Sequence, residues 1–441
     1  MKKSKANELY NMFFMFLIIA IVGIFVYFAV RGQFEESANP DESNPSDNIQ
    51  SGPGNNITGG ESHTATSGGD KTTPENPSRP TDPLGPDPGD LTEYRITFTG
   101  AGDNVIHECL WMDAEKRAVT GGRKYNFKPM FSDVAEMVAA ADIAFINQET
   151  PLAGNDFALS GYPYFNSPQD LGYDLVELGF DVINIATNHM IDKKEKGLKN
   201  AINFLRSFEE TDDIIVIGDY LNSGELYDNI KVIERGGIKI AFLAYTYGTN
   251  GITLPDNAEV IVPYINDDLI VSQIAKAKEI ADTVIVSIHW GEENWFSPSD
   301  DQIHVAQLIA DCGVPAIIGH HPHVLQPIKW LTGSGGNKTL CVYSLGNLAS
   351  GMEFPRNMVG GFIGFDIVKR GNKVTVENPV FTPTIYYYAQ NWFNGHIYLL
   401  KDYTPELAKS HGTASRHNRP CTVEQLWKFV TDNIDAEFLR D

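Results

Sequence analysis

Polar and apolar positions divide this chain into three textures. From residue 94 onward, short and nearly continuous apolar runs recur: 94–100 (YRITFTG), 142–147 (DIAFIN), 181–186 (DVINIA), 213–217 (DIIVI), 238–245 (IKIAFLAY), 283–288 (TVIVSI), 315–318 (PAII) and 339–344 (TLCVYS). Runs of this length, rich in Val and Ile and lacking a polar face, predict strands buried on both sides. Segments 129–141, 168–179, 193–209, 265–281 and 299–312 lie between them and carry helical patterns. The alternation predicts a mostly parallel, layered α/β fold. From about 360 the helical patterns stop (GFIGFDIVKR, KVTVENPVFTPTIYYYAQ, GHIYLL), which predicts a second, more antiparallel sheet. Residues 421–440 read as helix.

The other two textures precede this domain. Met12 to Val30 is an apolar run of 19 residues. As a helix it spans about 28 Å, close to the thickness of a bilayer's hydrocarbon core. Lys2, Lys3 and Lys5 precede it and only Arg31 follows before an acidic stretch, so the positive-inside rule leaves residues 1–11 in the cytoplasm and the remainder outside. A cleaved signal peptide is the rival. The run is long for one, though, no A-x-A-like site follows it cleanly, and no cysteine follows it. An uncleaved single-pass anchor at the cell membrane is therefore expected. Residues 31–90 read as a linker, and 35–90 are rich in Pro, Gly, Ser, Asn, Thr and Asp (NPDESNPSDN, TDPLGPDPGD). With almost no large apolar side chains, that stretch cannot offset the entropy of ordering. As a flexible spacer it reaches about 40 Å. The expected organisation ends with a folded domain over 91–390 and a C-terminal extension over 391–441.

Charge narrows the partners. The formal net charge is −23, of which the folded part from residue 91 carries −17. An acidic domain repels nucleic acid, which is set aside as a partner. Cys109, Cys312, Cys341 and Cys421 show no zinc-ligand spacing; one or two bridges or four free thiols all fit.

The chemistry lies where strands end. Ligands in open α/β sheets bind beyond the carboxyl ends of strands. Here those ends run into Gly102-Asp103, Asn147-Gln148-Glu149, Thr187-Asn188-His189, His289-Trp290-Gly291 and Gly319-His320-His321-Pro322-His323. Any one of these is ordinary, since a lone His is more often structural and a lone Asp often caps a turn. Five together point to a site. Carboxylate plus imidazole without thiolate suits Mn, Fe or Zn, one or two ions in number. Glu149 is able to bridge two ions, and a neighbouring His to protonate a leaving group. Asp192, three residues after His189, either orients that ring or sits at a helix start. Glu293 holds a ligand His, acts as a base, or lies on the surface. Trp290, Trp295 and Tyr343 wall a groove or, more plainly, pack in the core.

In order and content, GDNVIH (102–107), NQETPL (147–152), ATNHMID (186–192), HWGEE (289–293), GHHPHVLQ (319–326) and YSLGN (343–347) resemble the CapA proteins of capsule biosynthesis, also called poly-γ-glutamate synthesis accessory proteins. The resemblance covers roughly residues 94–385. That family is in turn similar in fold to calcineurin-like metallophosphatases. This implies a layered sandwich of two β-sheets flanked by helices, with metals at the strand ends. It also implies Asp103 on the first ion, Glu149 in the bridging place, and Asn188 and His289 on the second ion. His321 and His323 would serve one ion each, and His189 would be the general acid. The superfamily's opening Asp-x-His is broken by Val105, so His107 is the expected substitute or a substrate contact. His320 and Asn347 are expected beside the ligands or the substrate. The implied process is synthesis or export of an anionic surface polymer, together with its export machinery. Within it the chain acts as a hydrolase using metal-held hydroxide, as a non-catalytic accessory that guides the polymer, or as a metal-free scaffold.

Overall fold

The chain enters its first strand at β1 (Glu93–Val105), followed by β2 (Ile143–Gln148), β3 (Val182–Asn184) and β4 (Ile215–Ile217). It then builds β5 (Lys231–Arg235), β6 (Ile238–Thr246), β7 (Thr283–His289), β8 (Ala316–His320), β9 (Leu325–Thr332) and β10 (Lys338–Leu345). It returns through β11 (Asn347–Ser350), β12 (Val359–Arg370), β13 (Lys373–Tyr387) and β14 (His396–Leu399). The computed structural model describes residues 92–439; the expected membrane helix 12–30 and the expected linker 31–90 lie outside the described residues. Among those described, no helix is long and apolar enough to cross a membrane.

Two mixed sheets result. The first runs β14-β13-β12-β1-β2-β3-β4, with β11 also paired to β1, and the second runs β5-β6-β7-β8-β10-β9. Parallel pairing dominates where the sequence alternates strand and helix: β1–β2–β3–β4 and β6–β7–β8–β10. β7 shows why its residues make a strand of this kind. All seven are buried, with Ile285 in the core shared with the first sheet and Val284, Val286 and Ile288 in a second core. That second core includes Ile270 and Ile274 of helix Asp267–Ile280 and Val305 and Ile309 of helix Asp300–Asp311. Helix Lys194–Glu209 buries Leu198, Ala201, Ile202 and Leu205, a stripe at helical spacing that covers the first sheet.

The expected second sheet beyond residue 360 is not a separate one. β12 pairs antiparallel with β1 from Glu93↔Arg370 to Ala101↔Phe362, β13 pairs with β12, and β14 with β13. These strands extend the first sheet across the long open edge of β1, which would otherwise present unpaired amides. β14 also brings part of the segment after residue 390 into that sheet. The second sheet comes from the middle of the chain instead.

One close approach fixes the site's first strand. A Cβ added at Gly102 would lie 2.2 Å from the Gly346 carbonyl oxygen, which accepts the Asp103 amide at 2.9 Å. Gly102→Ala is therefore expected to lower unfolding stability by about 1–3 kcal/mol, the usual cost of overpacking. Urea denaturation checks this, and an unchanged midpoint would mean the two backbones part without cost.

Candidate metal centre

The carboxyl ends of β1, β2, β7 and β8 bring the polar motifs together. The β1–β2 register shifts between Ala101 and Asp103, and the β1–β11 register between Asp103 and Asn104. Such irregularities re-aim a side chain, and this one carries Asp103, which is fully buried. Asn147 Nδ2 donates to Asp103 Oδ1 at 2.9 Å, and Asn184 Nδ2 donates to Asn147 Oδ1 at 2.7 Å. The three residues sit at paired positions on β1, β2 and β3, so an amide ladder holds the carboxylate. Its other oxygen accepts the His321 amide at 3.2 Å.

Glu149 follows β2 directly and is buried, yet neither carboxylate oxygen has a hydrogen-bond partner. His323 Nε2 stands 3.4 Å from its Oε1 and His289 Nε2 stands 3.9 Å away. Two groups of ligand atoms lie within 4.8 Å of one another: Glu149 with His321 and His323, and Asp103 with Glu149 and His289. Asn188 joins through its Oδ1, 3.0 Å from His289 Nε2. All six expected ligands thus converge, with Glu149 common to both groups.

Local backbone and hydrogen bonds aim the imidazoles. His321 and His323 have φ of 100° and 56°, a left-handed conformation that non-glycine residues seldom adopt and that recurs at functional sites. Asn347 Nδ2 donates to the Asn357 carbonyl at 2.9 Å, which turns its Oδ1 toward His323 Nδ1 at 3.0 Å. His323 Nδ1, also 3.2 Å from Asp103, therefore keeps its proton, and Nε2, turned toward Glu149, is the atom that ligates once it gives up its own.

Electrostatics set the carboxylates apart. Burial pushes Asp103 up, but hydrogen bonds from His320 and His323 outweigh it and hold the carboxyl well below the usual range. Burial pushes Glu149 well above that range; His323 opposes the rise, while Asp103 and Glu293 add to it. Burial works against a charged His323, but Glu149 and Asp103 raise it to about 10. Burial, then His321, keeps His289 well below its ordinary value, and burial with His323 takes His321 down to about 3. A divalent cation resolves this arrangement. Glu149 has two unpartnered buried oxygens, His289 and His321 favour their neutral, ligating form, and every donor is oxygen or nitrogen. The spacing of 3.0 Å between Asn188 Oδ1 and His289 Nε2 matches adjacent ligands around an ion at about 2.1 Å. The residues fit a divalent metal ion.

Beside the cluster, His189 Nδ1 lies 2.8 Å from Asp192 Oδ2, which also accepts the Phe165 amide at 2.7 Å. The Phe165 ring meets His189 edge-on at 4.7 Å. His107 is in neither ligand group: it is half-buried, its Nδ1 lies 3.1 Å from the Gly351 amide, and its ring meets the other side of Phe165 at 5.2 Å. The imidazole beside Asp103 is His320 instead, its Nδ1 3.3 Å from Oδ1 and its ring stacked on Phe145. Glu293 is exposed in the loop after β7, and no hydrogen bond links it to a ligand His. Trp290 is buried, donates to the Tyr343 carbonyl at 2.9 Å and stacks on that ring, whereas Trp295 is exposed. The four cysteines are all free thiols.

Tyr247 and Asn250 escaped the sequence reading. The Tyr247 ring lies 4.5 Å from that of His321, and Asn250 Oδ1 accepts from Asn188 Nδ2 at 3.2 Å. Both follow β6 directly, and the strand-end rule that singled out the other motifs applies equally to YGTN (247–250).

A family model described as bacterial capsule synthesis protein PGA_cap matches residues 97–352. The chain is 32% identical over 205 residues to the capsule biosynthesis protein CapA of Bacillus anthracis, covering 45% of this chain and 47% of that protein. It is 30% identical over 198 residues to the PGA biosynthesis protein CapA of Bacillus subtilis, covering 45% and 50%. The chain thus spans about half the length of the curated relatives it matches. Among solved structures, a phosphatase from Mycoplasma pneumoniae aligns at 15% identity and a TM-score of 0.42, over 67% of this chain and 95% of that one.

Proposed function

We propose, from the premise that this chain belongs to the bacterial capsule synthesis protein family, that it is a metal-dependent hydrolase acting on an acidic surface polymer. In this proposal residues 12–30 anchor it in the cell membrane, with the folded domain outside beside the machinery that makes or exports the polymer. The observation that carries the hydrolase reading is the buried Glu149 carboxylate, without a hydrogen bond and ringed by His289, His321 and His323. Asp103, Glu149, Asn188, His289, His321 and His323 would hold one or two divalent ions. When bound, such ions supply Lewis-acid polarisation of the scissile group and a nucleophile at neutral pH.

The chain's own residues supply the rest. Asp192 accepts a hydrogen bond from the Nδ1–H of His189 at 2.8 Å, so Nε2 is the atom that exchanges a proton with the leaving group. Phe165 excludes water from one face of that ring and, through its amide, fixes Asp192. Asn147 and Asn347 hold Asp103 and His323 in their orientations. The test is elemental mass spectrometry of the purified full-length protein alongside a polymer-cleavage assay; one or two ions per chain with chain shortening are expected. Metal without cleavage would favour the second reading, an accessory that holds the polymer without cutting it. Val105, standing where the superfamily has an imidazole, favours that role.

Metal binding is expected to strengthen as pH rises. Glu149, pushed up by burial, and His323, raised to about 10, must both shed protons to ligate. Below about 10 the ion competes with protons, so affinity falls as pH falls. Titration calorimetry in buffers of different ionisation enthalpy reads the proton release directly; binding without it would contradict this picture.

A further inference from the structure

Nine arginines lie among the described residues, and seven of them pair with a carboxylate. The two that do not, Arg356 and Arg416, both stack on aromatic rings. The Arg356 guanidinium lies 4.3 Å from the Phe354 ring, and Arg419 lies 3.8 Å from the same ring. Arg416 lies 5.2 Å from Trp392. His417 connects the two rings: it meets Trp392 at 5.2 Å and comes within 3.4 Å of Glu353, which Arg419 already neutralises at 2.9 Å.

This arc borders the chemistry at both ends. Arg356 Nε donates to Asn294 Oδ1 at 3.1 Å, the same oxygen accepts from Asn357 Nδ2 at 2.9 Å, and Asn357 donates to the His323 carbonyl at 3.0 Å. Trp392 lines a cavity of about 510 Å³ with Tyr162 and His107 on its other walls. The Phe165 ring meets both His107, at 5.2 Å, and His189, at 4.7 Å. Glu108 also lines this cavity.

We propose that this arc is a carboxylate-anchoring subsite. Acid groups of an extended chain bind Arg356 and Arg416, its methylene groups lie over Trp392 and Tyr162, and the adjoining stretch is delivered to His189 and the metal ligands. The proposal rests on the polymer-hydrolase reading above and adds which residues grip the substrate. The physical case is charge. In a chain of net charge −23, a guanidinium without a carboxylate partner is the exception. A fork pre-set against an aromatic face loses little freedom on gripping a carboxylate.

The test is fluorescence anisotropy of full-length protein with a short labelled glutamate oligomer, against the same oligomer built from glutamine. The glutamate oligomer is expected to bind, more weakly as salt rises. R356Q/R416Q should lose about tenfold or more in affinity, and R416Q alone severalfold, each with wild-type metal content. Arg416 is exposed and makes no hydrogen bond to Asn294, so R416Q keeps the test valid should R356Q disturb the loop. Unchanged affinity in the double variant, or equal binding of the glutamine oligomer, overturns the subsite. A protein that binds the glutamate oligomer but takes up no metal overturns the hydrolase reading alone. One that holds metal and cleaves, with an unaltered double variant, overturns the subsite alone.

Discussion

His323→Ala is expected to abolish metal retention and to destabilise the metal-free protein as well. The imidazole lies 3.2 Å from Asp103 and 3.4 Å from Glu149, so it alone spans the two carboxylates of the cluster. Loss of even an outer partner of a metal ligand typically costs about 10–100-fold in affinity, and loss of a ligand itself costs more. In the metal-free protein the substitution leaves two buried acids without their shared cation, which costs about 3–5 kcal/mol. Elemental mass spectrometry reads the first effect, and urea unfolding in chelator reads the second. Metal content equal to wild type would remove His323 from the ligand set.

The second large effect is on turnover. His189→Ala is expected to lower the rate of polymer cleavage by about 10²–10⁴-fold, the usual contribution of a positioned acid or base, with bound metal unchanged. Asp192→Asn acts through His189, as a positioning residue. An amide in place of the carboxylate weakens the hold on Nδ1, so it should lower turnover less than His189→Ala does, with bound metal unchanged. Wild-type turnover in the His189→Ala protein would end the role assigned to it.

Much of this architecture is legible in the chain. Continuous apolar runs such as TVIVSI become strands because both faces of the second sheet are covered, and Ser299 with Gln302 closes a capping box where the 299–312 pattern begins. Strand-end polar motifs converge because parallel strands point their carboxyl ends the same way. What stayed hidden depends on pairing between distant segments. The strands after residue 360 join β1, which local pattern alone does not specify. β9 carries Pro327 and mixes buried, half-buried and exposed positions, so its run looks broken. His107 lies closer in sequence to Asp103 than His320 does, but β1 ends at Val105 and turns His107 toward Gly351, while the end of β8 delivers His320. Asn184 looked like one polar residue in a strand; only the register across β1, β2 and β3 makes it the end of a ladder that steadies Asp103.

The bond between the His321 amide and Asp103 joins residues 218 positions apart. Asp103 also faces Asn347 across the β1–β11 pairing, the far end of the domain's central stretch. Contacts of such sequence separation form late, after the loop entropy of everything between them has been overcome. A nascent chain emerging amino end first therefore holds Asp103 and Glu149 long before the histidines that complete their surroundings exist. A chain interrupted before residue 321 therefore lacks two of the six expected ligands, His321 and His323, however well its earlier strands assemble.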